Sequence, residues 1–177
     1  MAKLTNALDA IETHIGFRRS RTNGISRRLQ EAGLLPAGAP GIAPELAQRE
    51  VCLLLATLMS APKLHEAVDH ARAYATMTPG GAVLSADAPD NIPRSALEYL
   101  DLKSEIAIGG SPEAVEDVRT HRFEFEHFWR ELAAHTPEGT VARFVLPGTL
   151  ASHQQAPHRI AGLVKGDAFV NLMRDLF

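Results

Sequence analysis

The apolar positions of the first 35 residues predict a helix, a short turn and a second helix. The first helix is expected over residues 3–15 and ends at Gly16, and the second runs from its cap, Ser20, until Gly33 stops it. In each helix, apolar or small residues recur every three or four positions and therefore share one face. These residues are Leu4, Leu8, Ile11 and Ile15 in the first helix, and Thr22, Ile25, Leu29 and Ala32 in the second.

Two further helices are predicted after a loop rich in proline and glycine. The loop is PAGAPGIAP, and the apolar run Val51–Met59 beyond it predicts a buried third helix that reaches about Ala61. This run is far shorter than the roughly 20 apolar residues that a membrane span requires. The segment KLHEAVDHARAYATM has helical periodicity and predicts a fourth helix, so residues 1–77 are expected to form a helical domain.

The pattern changes after residue 77. Residues 78–95 concentrate proline, glycine, aspartate and asparagine without periodicity, which predicts a linker or a long surface loop. Residues 96–177 contain three segments of strand length, SEIAIGG, TVARFVL and HRIAGLV, each bounded by turn residues. This half is predicted to be a small domain of mixed helices and strands that serves oligomerisation or partner contact, which makes the fold class of the whole chain α+β.

Two segments of this second half have apolar residues at helical spacing. Residues 125–133 fit a helix, but HRFEFE just before them alternates like a strand, so the structure of this region stays open. At the C-terminus, Asp167 is predicted to cap a helix that places four apolar side chains on one stripe. These side chains are Phe169, Leu172, Met173 and Leu176.

Charge is distributed unevenly along the chain. The net charge is −3, but the first 35 residues hold six cationic and three acidic side chains, a net +3, so the rest carries −6. Five of the cations are arginines within the segment IGFRRSRTNGISRRLQEAGLLP. A basic segment on an otherwise acidic chain predicts that one face of the protein binds a polyanion and that the rest of the surface repels it.

The polar side chains of the second helix are of the kinds that contact bases. Asparagine and glutamine can pair with N6 and N7 of adenine, and arginine with O6 and N7 of guanine, in the major groove. When Ile25 and Leu29 face the interior, helical geometry places another set on or beside the outward face. That set is Ser20, Asn23, Ser26, Arg27 and Gln30.

Phosphate contacts are expected at the start of the same helix. An open helix N-terminus offers N–H groups to a phosphate, and Arg18, Arg19 and Arg21 lie next to it in the sequence. Gly24 within the helix costs about 1 kcal/mol relative to alanine. Either a close approach to a groove or partner helix, or a tolerated local defect, accounts for this glycine.

The segment ALDAIETHIGFRRSRTNGISRRL resembles the helix-turn-helix and winged-helix DNA-binding domains of bacterial and phage regulators, over about residues 4–38. Gly16 matches the turn and Ile25 an interior position, and ISRRLQEAGLLPAG resembles the end of a winged-helix recognition helix, in which EAGLL leads into the next element. The resemblance implies Asn23, Ser26 and Arg27 as groove-facing residues and the cluster from Arg18 to Arg21 as backbone contacts. The loop PAGAPG is a candidate replacement for the wing.

No catalytic, metal or cofactor site is predicted. The eight histidines form neither an HExxH pattern nor a closely spaced pair, and Cys52, the one cysteine, is expected to be buried. The segment GGSPEAVEDV lacks the spacing of a dinucleotide or P-loop motif, so Ser111 and Pro112 are interpreted as a helix cap and first turn. We therefore expect a protein that is not an enzyme.

Three functional hypotheses follow. The leading one is a DNA-binding transcription regulator that acts on double-stranded DNA as a homo-oligomer. The others are a phage DNA-packaging subunit like the small terminase subunits, and a protein-interaction module without nucleic acid whose basic helix docks on an acidic partner. Because no apolar block follows Lys3, a signal peptide is not predicted, and a cytoplasmic location without membrane contact is expected.

Overall fold

The N-terminal half consists of packed helices and a two-stranded ribbon that precedes two of them in the chain. The computed structural model describes residues 1–39, 41–61, 63–85, 92–149 and 158–177. Its first helices are α1 (Leu4–Ile15), α2 (Arg19–Glu31) and α3 (Gln48–Ser60), followed by a short 3-10 helix (Leu64–Glu66) and α4 (Ala67–Thr76). Strands β1 (Ala2–Lys3) and β2 (Glu45–Leu46) pair antiparallel and bring the start of α1 beside the start of α3.

The second half adds helices and most of an antiparallel sheet. Strand β3 (Thr78–Pro79) comes first, followed by helices α5 (Ala96–Gly109) and α6 (Pro112–Thr120). Strands β4 (Arg122–Glu126), β5 (Glu131–His135), β6 (Val141–Val145) and β7 (Ala161–Lys165) then lead into helix α7 (Gly166–Leu176). The strand order is β3-β6-β5-β4-β7, and every neighbouring pair is antiparallel. The predicted α+β class is confirmed.

One prediction of secondary structure in this half is wrong, and one region that the sequence left open is resolved. The segment SEIAIGG is the end of helix α5, because Leu97, Leu100, Ser104 and Ala107 are buried at helical spacing. The hydroxyl of Ser95 starts that helix by accepting a bond from the Glu98 amide at 3.1 Å. For residues 125–133, where helix and strand were both left open, the structure shows no helix: alternation buries Phe123 and Phe125 on one face of β4, and the chain then turns into β5.

Other predictions hold. Strands β6 and β7 overlap the predicted segments TVARFVL and HRIAGLV. Ser111 caps α6 by accepting a bond from the Ala114 amide at 3.3 Å, and Pro112 is in its first turn. The C-terminal helix begins slightly earlier than predicted, so that Lys165 is its N-cap and Asp167 lies in its first turn, where its carboxylate binds Arg119 at 2.9 Å.

One hydrophobic core joins the segments that the sequence divided at residues 78–95. The core includes side chains from α1, α3, the sheet and α7, and α1 packs directly on α7. Within the predicted linker, Thr78 and Pro79 pair with Val145 and Phe144 of β6. Residues 86–91 of that segment lie outside the described residues. The start of the linker is therefore part of the sheet.

The buried stripe of α7 is expected to be essential for stability. Phe169 is fully buried, and its ring centroid lies 5.1 Å from that of Phe123 on β4. We expect Phe169→Ala to lower the free energy of unfolding by about 3–5 kcal/mol, because removing the ring leaves a cavity in the core. Urea denaturation measures this change. The matched control is Leu163→Ala, whose side chain is 51% exposed and whose removal is expected to change stability by no more than about 0.5 kcal/mol. Equal destabilisation of the two variants would contradict the assignment.

Candidate nucleic-acid interface

A three-residue turn sets α2 against α1. Gly16 adopts a φ of 90°, and its amide donates to the Ile11 carbonyl at 3.1 Å, which ends α1 in the left-handed conformation that favours glycine. Arg18 follows in an extended conformation and is the N-cap of α2, so Ser20 lies in the first turn rather than at the cap. The predicted arrangement of helix, glycine turn and helix is present.

The outward side of α2 carries only part of the predicted polar set. Thr22, Ile25, Ser26 and Leu29 form the buried side of this helix. Ser20 and Arg27 are exposed and Asn23 is half-buried. The prediction that Ser26 lies beside the outward face is wrong, because its side chain is fully buried and its hydroxyl donates to the Asn23 carbonyl at 2.9 Å. Ser20, Asn23 and Arg27 are called the α2 face below.

The arginines around the start of α2 differ in what they contact. Arg18 is exposed. Arg19 is also exposed but forms an ion pair with Asp9 on α1. Arg21 is half-buried, donates from Nη2 to the Ala61 carbonyl at 2.5 Å and lies 5.9 Å from the centre of the Phe17 ring. The Arg21 guanidinium therefore links α2 to the end of α3, and Arg18 is the arginine of this group best placed for an outside ligand.

The expected phosphate site at the N-terminus of α2 holds a carboxylate of the protein itself. Oε1 of Glu12 accepts a bond from the Arg19 amide at 3.1 Å. The amides of Arg21 and Thr22 both bond to the Arg18 carbonyl, as in a normal first turn. A carboxylate at this position stabilises the positive end of the helix dipole and repels a phosphate. The prediction of a phosphate bound by these amides is therefore not supported by the geometry.

The loop after α2 folds back beside the helix. Nε2 of Gln30 donates to the Pro36 carbonyl at 2.8 Å, so this amide holds the loop instead of projecting outward as predicted. Ala39 and Ile42 form an isolated antiparallel bridge around Gly41, whose φ is 78°. The side chain of Ile42, at this bridge, is 69% exposed. The described part of the loop thus contains one isolated bridge in the region proposed to replace a wing.

Gly24 faces a neighbouring element of the protein. A Cβ atom at this position would lie 3.1 Å from Cδ2 of Leu64, in the 3-10 helix before α4. Because glycine has no side chain, that segment can approach α2 closely. Of the two explanations left open for this glycine, the structure supports close packing against a partner segment.

Two residues that the site prediction omitted contribute to this surface. Arg28 is exposed and forms an ion pair with Glu31 at 3.0 Å, so it adds a cation one residue from Arg27. Glu12 acts as the cap described above. The basic stretch of the sequence was a signal for Arg28, whereas the function of Glu12 depends on the angle between two helices and has no local signature.

Comparison with known proteins adds no assignment, because no family model, no curated protein and no solved structure matches this chain. Among the helices in the described ranges, none has both the length and the apolar character needed to cross a bilayer.

The cap supplied by Glu12 makes a testable contribution to stability. We expect Glu12→Ala to lower the free energy of unfolding by about 0.5–1 kcal/mol, since the Arg19 amide loses its partner and the helix dipole loses a nearby negative charge. Glu12→Gln, which keeps an acceptor oxygen but no charge, is expected to be destabilised less. Urea denaturation at low and high salt compares the two variants. A Glu12→Ala variant as stable as the parent would show that this bond does not hold the turn.

Proposed function

We propose that the chain is a DNA-binding transcription regulator of the bacterial or phage type, in which α2 enters the major groove. The observation that carries the proposal is the division of α2 into two sides. One side is anchored in the core by Ile25 and Leu29, and the opposite side presents Asn23 and Arg27 one helical turn apart. A rigidly held helix with bidentate polar side chains directed outward is suited to read base edges.

Each residue of the α2 face has a distinct role in the proposal. Arg27 is exposed and has the fork of donors that matches O6 and N7 of guanine. Asn23 has the donor and acceptor that match N6 and N7 of adenine. Ser20, in the first turn, is placed to donate a hydrogen bond to the DNA backbone. Ser26 and Gln30 are not included in this surface, because the protein itself uses their polar atoms.

The positions of the cations support backbone contacts on both sides of this face. Arg18 lies before the first turn and Arg28 near the last turn of α2, and both are exposed. Arg19 is also expected to contact the DNA backbone. Its ion pair with Asp9 is exposed to solvent, and because such pairs contribute at most about 1 kcal/mol to stability, a phosphate can replace Asp9. The acidic remainder of the chain favours an orientation in which only this end meets the DNA.

The proposal includes a homo-oligomer in the cytoplasm and assigns no catalytic step. A regulator that reads two half-sites needs two copies of α2 about 34–36 Å apart or a multiple of that distance. Mass measured in solution with and without duplex DNA distinguishes a dimer from the ring expected of a DNA-packaging subunit. Salt-sensitive binding to an acidic protein without any binding to DNA would favour the interaction module instead.

The first test of this function is the salt dependence of binding to duplex DNA. Replacing Arg18 and Arg19 together with alanine is expected to reduce the magnitude of the slope of log K against log salt by about 0.9 for each phosphate that the variant no longer neutralises. The control is Arg122→Ala, an exposed arginine on β4 far along the chain from α2. Fluorescence anisotropy over a range of salt concentrations measures the slopes. Equal slopes for all three proteins would place the DNA-binding surface elsewhere.

The second test separates base contacts from backbone contacts. Asn23→Ala and Arg27→Ala are each expected to weaken the free energy of binding to the preferred DNA sequence by about 1–3 kcal/mol. Their binding to random duplex DNA should change little. Arg19→Ala should weaken binding to both by similar amounts, and Ser26→Ala, at a buried position of the same helix, should change neither. Selection from randomised duplexes with each variant gives the preferred sequence. If Asn23→Ala and Arg27→Ala select the parental motif, α2 does not read bases.

A further inference from the structure

Three potential metal ligands meet on the side of α4 that faces the sheet. Glu66 is the N-cap of α4, His70 lies one turn later on that helix, and His127 is the first residue after β4. Each offers one ligand atom, and the three atoms all lie within 4.8 Å of one another. The rings of His70 and His127 are stacked, with centroids 5.1 Å apart and planes inclined by 6°.

His127 is held in the orientation that a ligand requires. Its Nδ1 lies 2.7 Å from the carbonyl oxygen of Ser60, the last residue of α3. Because a carbonyl oxygen only accepts, Nδ1 is the donor in this bond, and Nε2 is the ring nitrogen left for a metal ion. The His127 amide also donates to the Ile160 carbonyl at 2.9 Å, which fixes the backbone. Histidines that bind metals characteristically donate their second ring nitrogen to a carbonyl or carboxylate in this way.

The other two ligands have buried atoms that the protein does not satisfy. His70 is 3% exposed, and its Nδ1 has no hydrogen-bond partner among the residues that the structure describes. In the same described set, Oε2 of Glu66 is also buried without a partner. Buried polar atoms are nearly always paired, so two unpaired ligand atoms in one cluster are suited to bind an ion.

The framework around the cluster is fixed from both sides. The hydroxyl of Tyr74, one turn after His70 on α4, is within hydrogen-bond distance of the Glu126 and Glu131 carbonyls, at 3.3 and 3.2 Å. These two carbonyls flank the turn between β4 and β5 that carries His127. Tyr74 is fully buried, so this contact holds the turn against α4. The ligands therefore come from two elements whose relative position is already set.

We propose that Glu66, His70 and His127 bind one divalent transition-metal ion of the Zn²⁺ class. Two imidazoles and one carboxylate form a donor set that suits Zn²⁺ and its neighbours in the first transition row. Metal–ligand distances of about 2.0–2.1 Å place two tetrahedral ligands roughly 3.4 Å apart, so binding would require the Glu66 and His70 side chains to rotate slightly toward His127. Three protein ligands leave a coordination position for water or another small ligand. Hard ions such as Mg²⁺ prefer all-oxygen sites and are expected to bind weakly.

The test uses the full chain after a chelator has removed bound metal. Isothermal titration calorimetry then measures the binding of Zn²⁺ to it. We expect one ion to bind per chain, and Mg²⁺ to give no comparable heat. His70→Gln and His127→Gln should each weaken Zn²⁺ binding by at least about 100-fold, the upper end of the effect seen when only an outer partner is removed. The matched control is His14→Gln, because His14 lies on α1 and pairs with Asp175. Its affinity for Zn²⁺ should equal that of the parent.

A second measurement identifies the ligands directly. Co²⁺ in place of Zn²⁺ is expected to give visible absorption bands in the parent and in His14→Gln, and altered bands in the two ligand variants. If a histidine variant does not fold by circular dichroism, Glu66→Gln decides, since its side chain is more exposed and its volume is unchanged. Absence of Zn²⁺ binding by the parent, or an affinity unchanged in the folded ligand variants, overturns the proposal and leaves a stacked pair of neutral histidines.

Discussion

The burial of α3 is the constraint on which the rest of the structure depends. Every residue from Val51 to Leu58 is buried, so this helix must be covered on all sides. It packs against α2, α4 and α5, and also against β4 and β7 of the sheet. Burial also raises the pKa of the Cys52 thiol, which keeps this residue an inert part of the core. Because one helix serves both halves of the chain, the sheet and the helical layer share a single interior.

The contact between α3 and the sheet imposes a specific requirement on β7. A Cβ atom at Gly162 would lie 2.6 Å from the carbonyl oxygen of Met59, a backbone atom that cannot move aside. Only glycine permits this approach, since real side chains are not found at such distances. The same end of α3 supplies the Ser60 and Ala61 carbonyls that accept from His127 and Arg21. The end of this helix therefore connects the sheet, the histidine cluster and α2.

The sequence was informative where periodicity and local chemistry agree. The glycine turn at Gly16, the α1 and α2 patterns, the Ser111 cap and the stripe of α7 depend on neighbours within a few residues, and each was predictable. Helix α5 was missed in part because SEIAIGG has the apolar content of a strand, while the start of the helix is set by Ser95 upstream. Strand β5 was missed because its partner residues on β4 and β6 are distant in sequence.

At the candidate site, too, the sequence did not predict contacts between elements that are distant along the chain. Exposure of Arg27 and the half-exposure of Asn23 followed from helical geometry, but the buried position of Ser26 did not, since α2 is covered by both α3 and α4. The contacts of Arg21 and Gln30 with the Ala61 and Pro36 carbonyls are likewise tertiary. The histidine cluster had one local signal, Glu66 and His70 four residues apart on one helix face, but its third member comes from the sheet.

The 3-10 helix Leu64–Glu66 explains why a glycine is present in the middle of α2. Leu64 fills the space beside Gly24, and Glu66, two residues later, belongs to the cluster with His70 and His127. A glycine in a helix costs about 1 kcal/mol relative to alanine. Packing of the Leu64 side chain, which is 44% exposed, offsets part of that cost by removing apolar surface from water. A side chain at position 24 would have to displace the end of the Leu64 side chain, since its Cβ atom would lie 3.1 Å from Cδ2. Gly24 is therefore better understood as the residue that lets the Leu64 side chain pack against α2.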